Sequence, residues 1–274
     1  MFNQNLHTHS TFDDGQNTME DMVRAALAAG LCSIGISVHT SLPFSENPGW
    51  TIDENRMPNY LAEARRLKAA YRGRISVYCG AEYDGLSQLS LTGFDYVIGS
   101  VHYIVKNAEV YSVDATADIV AGYLTCEFGG DTDAAAELYF RQYATLADID
   151  EVDIVGHFDL LTKFDEQRSF YNTDSPRYRS AAFAAMEALV AAGKIFEINT
   201  GAIARGYRTT PYPSRALLTA LSEMGGRVTI SSDAHREQDV IFGYAEAVQL
   251  AHNCGFTELY HLTEDGFKSI PIKI

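Results

Sequence analysis

The sequence predicts an α/β chain whose parallel strands close into a barrel, and three observations carry this. Strand-like apolar runs alternate with helical stretches about seven times over the 274 residues, the pattern of parallel βαβ units. After a first run that leads into His7-Thr-His9, one run after another ends in His, Glu or Asp. These are Ser33-Ile-Gly-Ile-Ser-Val-His39, Ile75-Ser-Val-Tyr-Cys-Gly-Ala-Glu82, Tyr96-Val-Ile-Gly-Ser-Val-His102, Val152-Asp-Ile-Val-Gly-His157 and Val228-Thr-Ile-Ser-Ser-Asp-Ala-His235. No linker-like change of composition divides the chain, so it reads as a single domain over residues 1–274. An open doubly wound sheet draws its ligands from few strands at one crevice. Only a closed barrel brings this many strand ends to one mouth, and barrel active sites lie at that C-terminal face.

The elements follow in order. The first strand covers about residues 3–9, and its alternation turns His7 and His9 to the same side. Asn17-Thr18 caps a helix running to Ala29, with Glu20 and Asp21 in its first turn and Gly30 as its stop. The second strand ends at His39. The stretch from Thr40 to Pro58 holds Pro43, Pro48, Gly49 and the single Trp50, and is long enough to be a lid or binding loop. A helix over about 59–71 precedes the strand ending at Glu82, and Asp95 leads into the strand ending at His102. Residues 115–150 read as helical, broken at Gly129-Gly130-Asp131. The strand Val152 to His157 is followed by a helix opened by Ser175-Pro176 and ending near Gly193. The strand Lys194 to Asn199 leads into a loop with Arg205 and Arg208. Ser214 caps a helix to about Met224. The strand Arg227 to Ser232 precedes Asp233, a last helix covers about 240–253, and the tail 258–274 allows one short strand.

Composition narrows the function classes. Lys and Arg number 21 against 36 Asp and Glu, a formal net charge of −15, which repels a nucleic-acid backbone. A small phosphorylated substrate stays compatible, because bound metal ions reverse the local field. Cys32, Cys79, Cys126 and Cys254 form no Cys-x-x-Cys pair and read as reduced core thiols of a cytoplasmic protein. No signal peptide and no apolar run near the ~20 residues of a membrane span is expected.

The candidate metal ligands are His7, His9, Asp14, His39, Glu82, His102, His157, Asp233 and His235. A lone His-x-His is often an ordinary surface pair; repetition at strand ends is what a random core does not produce. Nine nitrogen and oxygen donors exceed the needs of one four- to six-coordinate ion and point to two or three ions of zinc, manganese or iron type. The absence of cysteine ligands argues against a closed structural zinc site. His252, at a helix end, and His261, in the tail, read as structural.

These motifs resemble the PHP (polymerase and histidinol phosphatase) family, and within it the histidinol-phosphate phosphatases. The resemblance rests on His7-Thr-His9 with Asp14-Gly15, His39, Gly80-Ala-Glu82, Gly99-Ser-Val-His102, Gly156-His157 and Ser232-Asp-Ala-His235, with Glu197-Ile-Asn-Thr200 and Tyr212-Pro-Ser214 beside them. It implies a distorted TIM-like barrel of seven strands with a trinuclear centre. His7, His9, Glu82 and Asp233 would hold the first ion; Asp14, His39 and His235 the second; His102 and His157 the third, with Glu82 bridging. Asp233 and His235 would serve the chemistry, with a bridging hydroxide attacking phosphorus. Asp13 is the rival to Asp14, which the Asp-Gly match favours. Val38 stands where the family commonly has an acid, which leaves the orientation of His39 to be explained. Arg205 is implied as a phosphate contact on a loop away from the metal-ligand motifs. Arg208 is a weaker candidate that reads at least equally as a solvated loop cation, and Lys163 and Arg168 are weaker candidates that read rather as solvated cations.

The expected reaction is hydrolysis of L-histidinol phosphate, in the cytoplasm, with no membrane or nucleic-acid partner. The alternatives are the same chemistry on another phosphorylated metabolite or nucleotide, and a non-catalytic PHP module. A polymerase-associated module should be basic and carry attached domains. An amidohydrolase should show a strand ending in Lys, and none does.

Overall fold

The computed structural model describes residues 2–43 and 49–273. In chain order its strands are β1 (Gln4–Asn5), β2 (Ser33–His39), β3 (Ser76–Asp84), β4 (Tyr96–Ser100), β5 (Tyr103–Lys106), β6 (Glu109–Ser112), β7 (Ile154–Val155), β8 (Ile195–Asn199), β9 (Arg227–Ser231), β10 (Glu258–Thr263) and β11 (Gly266–Pro271). Seven of them form one all-parallel sheet in the order β1-β2-β3-β4-β7-β8-β9. The two outer strands meet just beyond their ends. The His9 amide donates to the Ala234 carbonyl at 2.9 Å and the Ala234 amide to the His7 carbonyl at 3.3 Å. The sheet is thus a nearly closed seven-stranded barrel.

The helices are α1 (Met19–Ala28), α2 (Met57–Ala70), α3 (Ala117–Cys126), α4 (Thr132–Thr145), α5 (Asp165–Arg168), α6 (Pro176–Ala191), α7 (Gly201–Ala204), α8 (Arg215–Glu223) and α9 (Tyr244–Asn253). Thr18 closes a capping box with Asp21 at the start of α1, a device worth about 1 kcal/mol. The strands β2, β4 and β8 are buried along their whole length, as expected of strands covered by helices on one face and by the barrel interior on the other. That interior is filled by Tyr96, whose hydroxyl donates to the Leu6 carbonyl. A Cβ at Gly35 or at Gly80 would lie 2.2 Å from the Tyr96 ring system, so two glycines on neighbouring strands make its room.

Five points differ from the sequence reading. The first ladder is shorter than residues 3–9, because the Asn5 side chain takes the His7 amide at 3.1 Å. The strand expected over 152–157 keeps two ladder residues, its His157 amide being taken by the Glu197 carboxylate at 2.7 Å. The hairpin β5–β6 was not anticipated. Its two turn residues, Asn107 and Ala108, have φ of 52° and 66°, and Asn-Ala lacks the glycine that usually advertises such a turn. The tail forms the hairpin β10–β11 instead of one strand; it closes the bottom of the barrel, where Gln4 exchanges hydrogen bonds of 2.9 and 2.7 Å with the Leu262 backbone. Cys79 and Cys254 are buried, but Cys32 and Cys126 are exposed, so only two of the four thiols belong to the core. The centre of the expected lid, residues 44–48, lies outside the described residues.

Candidate metal centre

Parallel register builds the centre. His39, the last residue of β2, is the register partner of Glu82 on β3, so the two side chains stand together. His7 and His9 flank the bridge that closes the barrel, with ring centroids 5.2 Å apart. Glu82 is 1% exposed and sits among five imidazoles. Its Oε2 lies 3.0 Å from His7 Nε2, 3.5 Å from His9 Nε2 and 2.9 Å from His39 Nδ1. Its Oε1 lies 2.8 Å from His157 Nε2 and 3.4 Å from His102 Nε2. Asp233 Oδ1 is 3.3 Å from His9 Nε2, 3.7 Å from His7 Nε2 and 3.5 Å from His235 Nδ1. Asp14 Oδ1 is 3.2 Å from His235 Nε2 and 3.8 Å from His39 Nε2. All nine candidate ligands therefore gather at one end of the barrel.

A second ring of carboxylates holds the imidazoles from behind. His7 Nδ1 faces Glu197 at 2.9 Å, His9 Nδ1 faces Asp13 at 2.7 Å, and His102 Nδ1 faces Asp84 at 3.1 Å. Such partners fix the tautomer: the ring proton sits on Nδ1 and the Nε2 lone pair is turned inward. Asp13 is thereby separated from Asp14. Its Oδ1 accepts from the Ser10 amide and its Oδ2 from the His39 amide, both at 3.0 Å, with His9 also on Oδ2, and it belongs to none of the groups of donors able to share an ion. Asp13 also anchors the backbone amide of His39, while Val38 is wholly buried in the hydrophobic core.

The donor geometry suits cations. His9 Nε2 and His39 Nδ1 are buried and make no hydrogen bond, although carboxylate oxygens lie within 3.5 Å of each. Donor-to-donor spacings of 2.8–3.7 Å are the edges expected around an ion that binds each donor at about 2.0–2.2 Å. Overlapping groups can each hold an ion: His9, Asp14, His39 and His235; His7, His9 and Asp233; His7, Glu82 and His157; His39, Glu82 and His102. Without an ion the cluster takes protons. Burial by itself lowers the imidazole pKa values, but the surrounding carboxylates overcome it, raising those of His7 and His102 well above the usual range and that of His9 to about 10. Burial pushes Glu82 and Asp233 up, and the imidazoles and Arg205 more than reverse this. The site requires positive charge between these groups, as protons or as metal.

A cavity of about 500 Å³ opens onto the centre, lined in addition by Trp50, Tyr103, Asp114, Lys163, Arg205 and Tyr207. Arg205 is not remote from the ligand motifs: Nη2 reaches Asp233 Oδ2 at 2.9 Å, and Nη1 donates to the Asp233 carbonyl at 2.7 Å. Lys163 donates to the Asp114 carbonyl at 2.9 Å and lies over the Tyr207 ring. Arg208 is buried, bonded to Thr162 and Thr210, and stacked on Tyr212, so it is neither a solvated cation nor part of the cavity lining. Arg168 pairs with Asp118 at the surface, outside the cavity.

Three groups of consequence were given no role from the sequence, although Glu197 was quoted in a motif. Asp84 stands two residues beyond Glu82, and strand alternation could have placed it on the same side. Glu197, a charge inside an apolar strand, was a signal in itself. Asp114 lies beyond the unforeseen hairpin and carried no local signal.

The family model described as the PHP domain matches residues 5–201. A protein of Deinococcus radiodurans named "Probable histidinol-phosphatase" is 30% identical over 268 residues, 91% of this chain and 92% of its own length. The "Histidinol-phosphatase" of Bacillus subtilis is 25% identical over 259 residues, 87% of this chain and 95% of its own. A crystal structure of histidinol phosphate phosphatase from Lactococcus lactis, complexed with zinc, L-histidinol and phosphate, superposes with a TM-score of 0.75 at 23% identity, covering 97% of this chain and 99% of that one.

Proposed function

The chain belongs to the PHP domain family, and on that footing we propose that it is a metal-dependent phosphomonoesterase that hydrolyses L-histidinol phosphate to L-histidinol and phosphate, a step of histidine biosynthesis. The observation that carries the reading is Glu82: a buried carboxylate with an imidazole nitrogen of five different histidines within 3.5 Å.

Three ions are proposed. His7, His9, Asp233 and Glu82 would hold the first; Asp14, His39 and His235 the second; His102, His157 and Glu82 the third. Mixed imidazole and carboxylate donors suit zinc, manganese or iron, and the zinc in the Lactococcus lactis structure supports the first of these. When bound, the ions supply Lewis acidity toward phosphoryl oxygens and lower the pKa of water.

The protein's own part is orientation. Arg205 holds one oxygen of Asp233, so the other is the one offered to His7 and His9. The rest of its fork and Lys163 bring positive charge to a cavity on a strongly acidic chain. Burial and the neighbouring Arg205 charge favour the neutral form of His235 at the cavity wall, the form whose lone pair can bind a cation. Hydrolysis breaks the ester P–O bond, forms a new P–O bond from water, and returns the alcohol with a proton. No helix among the described residues is long and apolar enough to cross a membrane. Placement in the cytoplasm is part of the proposal, resting on the kind of metabolite handled.

The test is an assay of purified protein, metal content measured in parallel, against a panel of phosphomonoesters. The expected result is the highest kcat/KM on L-histidinol phosphate, lost on chelation and regained with metal. Turnover that survives complete metal removal, or that favours an unrelated ester, would overturn it.

A further inference from the structure

Four acids line the cavity: Asp14, Glu82, Asp114 and Asp233. Three of them belong to the groups able to hold an ion, and Asp114 belongs to none. It stands on the segment between β6 and α3, next to Ser112 and near Trp50 and Tyr103 on the cavity wall. The Ser112 hydroxyl donates to Asp114 Oδ1 at 3.1 Å and fixes the carboxylate. The other oxygen lies 3.5 Å from Lys163 Nζ, which spends its short bond on the Asp114 backbone carbonyl. The side chain is 28% exposed, so the second oxygen retains acceptor capacity toward the cavity. Burial raises the carboxyl pKa, but Lys163 and the nearby imidazoles bring it below the ordinary value, so the group is ionised at neutral pH.

A carboxylate on the wall of a pocket for phosphate dianions is counterproductive, even one that shares its charge with Lys163. It repels every phosphomonoester equally, unless the other half of the substrate carries a cation. Asp114 Oδ2 pairs with Lys163 at 3.5 Å, but Lys163 makes its shorter bond, 2.9 Å, to the Asp114 backbone carbonyl, so the carboxylate keeps room for a second cation. The cavity of about 500 Å³ also leaves space beyond the phosphate for the alcohol half to lie along this wall.

Building on the phosphomonoesterase reading, we propose that Asp114 is the specificity-determining residue of the pocket. Its carboxylate receives an ammonium group on the alcohol half of the substrate, so the enzyme selects phosphomonoesters that carry a cation. The test uses the metal-loaded enzyme and a matched pair of esters, O-phosphoethanolamine and 2-hydroxyethyl phosphate, which differ in ammonium against hydroxyl. Wild type should favour the ammonium ester in kcat/KM. Asp114→Asn should lower that preference ratio about tenfold or more, the loss of one charge-assisted bond, and Asp114→Glu should recover part of it. Calorimetric affinity for L-histidinol should fall in Asp114→Asn with metal content unchanged. A wild-type ratio near one, or a variant that slows both esters alike, would overturn the proposal. Failure of the histidinol-phosphatase reading is a separate outcome, a poor rate on L-histidinol phosphate in wild type, and the ester pair is measurable whether or not it occurs.

Discussion

Arg205 clasps Asp233 at two points, its Nη2 on the Oδ2 oxygen at 2.9 Å and its Nη1 on the backbone carbonyl at 2.7 Å. Asp233 has a φ of 48°, in the left-handed region that a residue other than glycine occupies at a cost of order 1 kcal/mol or more. Arginine and strained aspartate are therefore one unit. The arginine helps to keep Asp233 in an unfavourable backbone state that aims Oδ1 at His7 and His9.

Arg205→Ala should consequently do more than remove a phosphate contact. The specificity constant should fall roughly tenfold to hundredfold, as for the loss of a charge-assisted bond, and metal occupancy should fall with it. Elemental analysis after extended dialysis checks the second part. Full metal retention with reduced activity would assign Arg205 to substrate alone. Arg208→Ala should leave kcat/KM close to wild type and act on stability, since its guanidinium is buried against Thr162 and Tyr212.

Glu82→Gln preserves size and removes the charge that five imidazoles share. Activity should drop by several orders of magnitude, with at least one ion fewer per chain, while circular dichroism shows the fold retained. Normal turnover at full loading would show that no bridging carboxylate is needed.

Glu197 touches His7, the His157 amide, the Ser231 hydroxyl and the Asn199 side-chain amide, yet faces the cavity with none of its atoms. Glu197→Gln should weaken metal affinity about 10- to 100-fold. Rescue of turnover by excess metal would mark it as a positioning residue; loss of turnover at saturating metal would not.

Asp165 gives a pH effect away from the metals. Its Oδ1 accepts from the Phe170 and Tyr171 amides, while its Oδ2 is buried without a partner. Desolvation dominates and raises its pKa to about 6. Between about 4 and 6 the folded chain then binds a proton that the unfolded chain has released, so stability declines as pH rises through that window. Asp165→Asn should raise the Tm at pH 7 by a few degrees and change it little at pH 4. Equal shifts at both values would refute the assignment.

The barrel and the convergence of the candidate ligands were legible because both leave a periodic trace. Each strand is a short apolar run, and each run ends in a donor. His39 and Glu82 could be read as neighbours in function, though only register made them neighbours in space. What escaped had no period. The β5–β6 turn uses Asn107 and Ala108 where a glycine would have announced it, and Asp114 follows from that hairpin. Arg205 looked remote in the chain because the short helix α7, which folds it back onto Asp233, spans only four residues. Gly201, at its start, has its would-be Cβ 2.8 Å from the Asp233 Cβ, an approach that only the folded chain discloses.

The barrel closes between its first and last sheet strands, and Asn5 and Ser232, 227 residues apart in the chain, are hydrogen bonded at 2.7 Å across that seam. The ribosome therefore delivers His7 and His9 long before Asp233 and His235 exist to complete their shells. Until then His7 and His9 have only the donors of the earlier strands, Glu82 and His157 among them. A chain cut short before its ninth strand therefore forfeits both the seam and the carboxylate and imidazole that complete the candidate groups around His9.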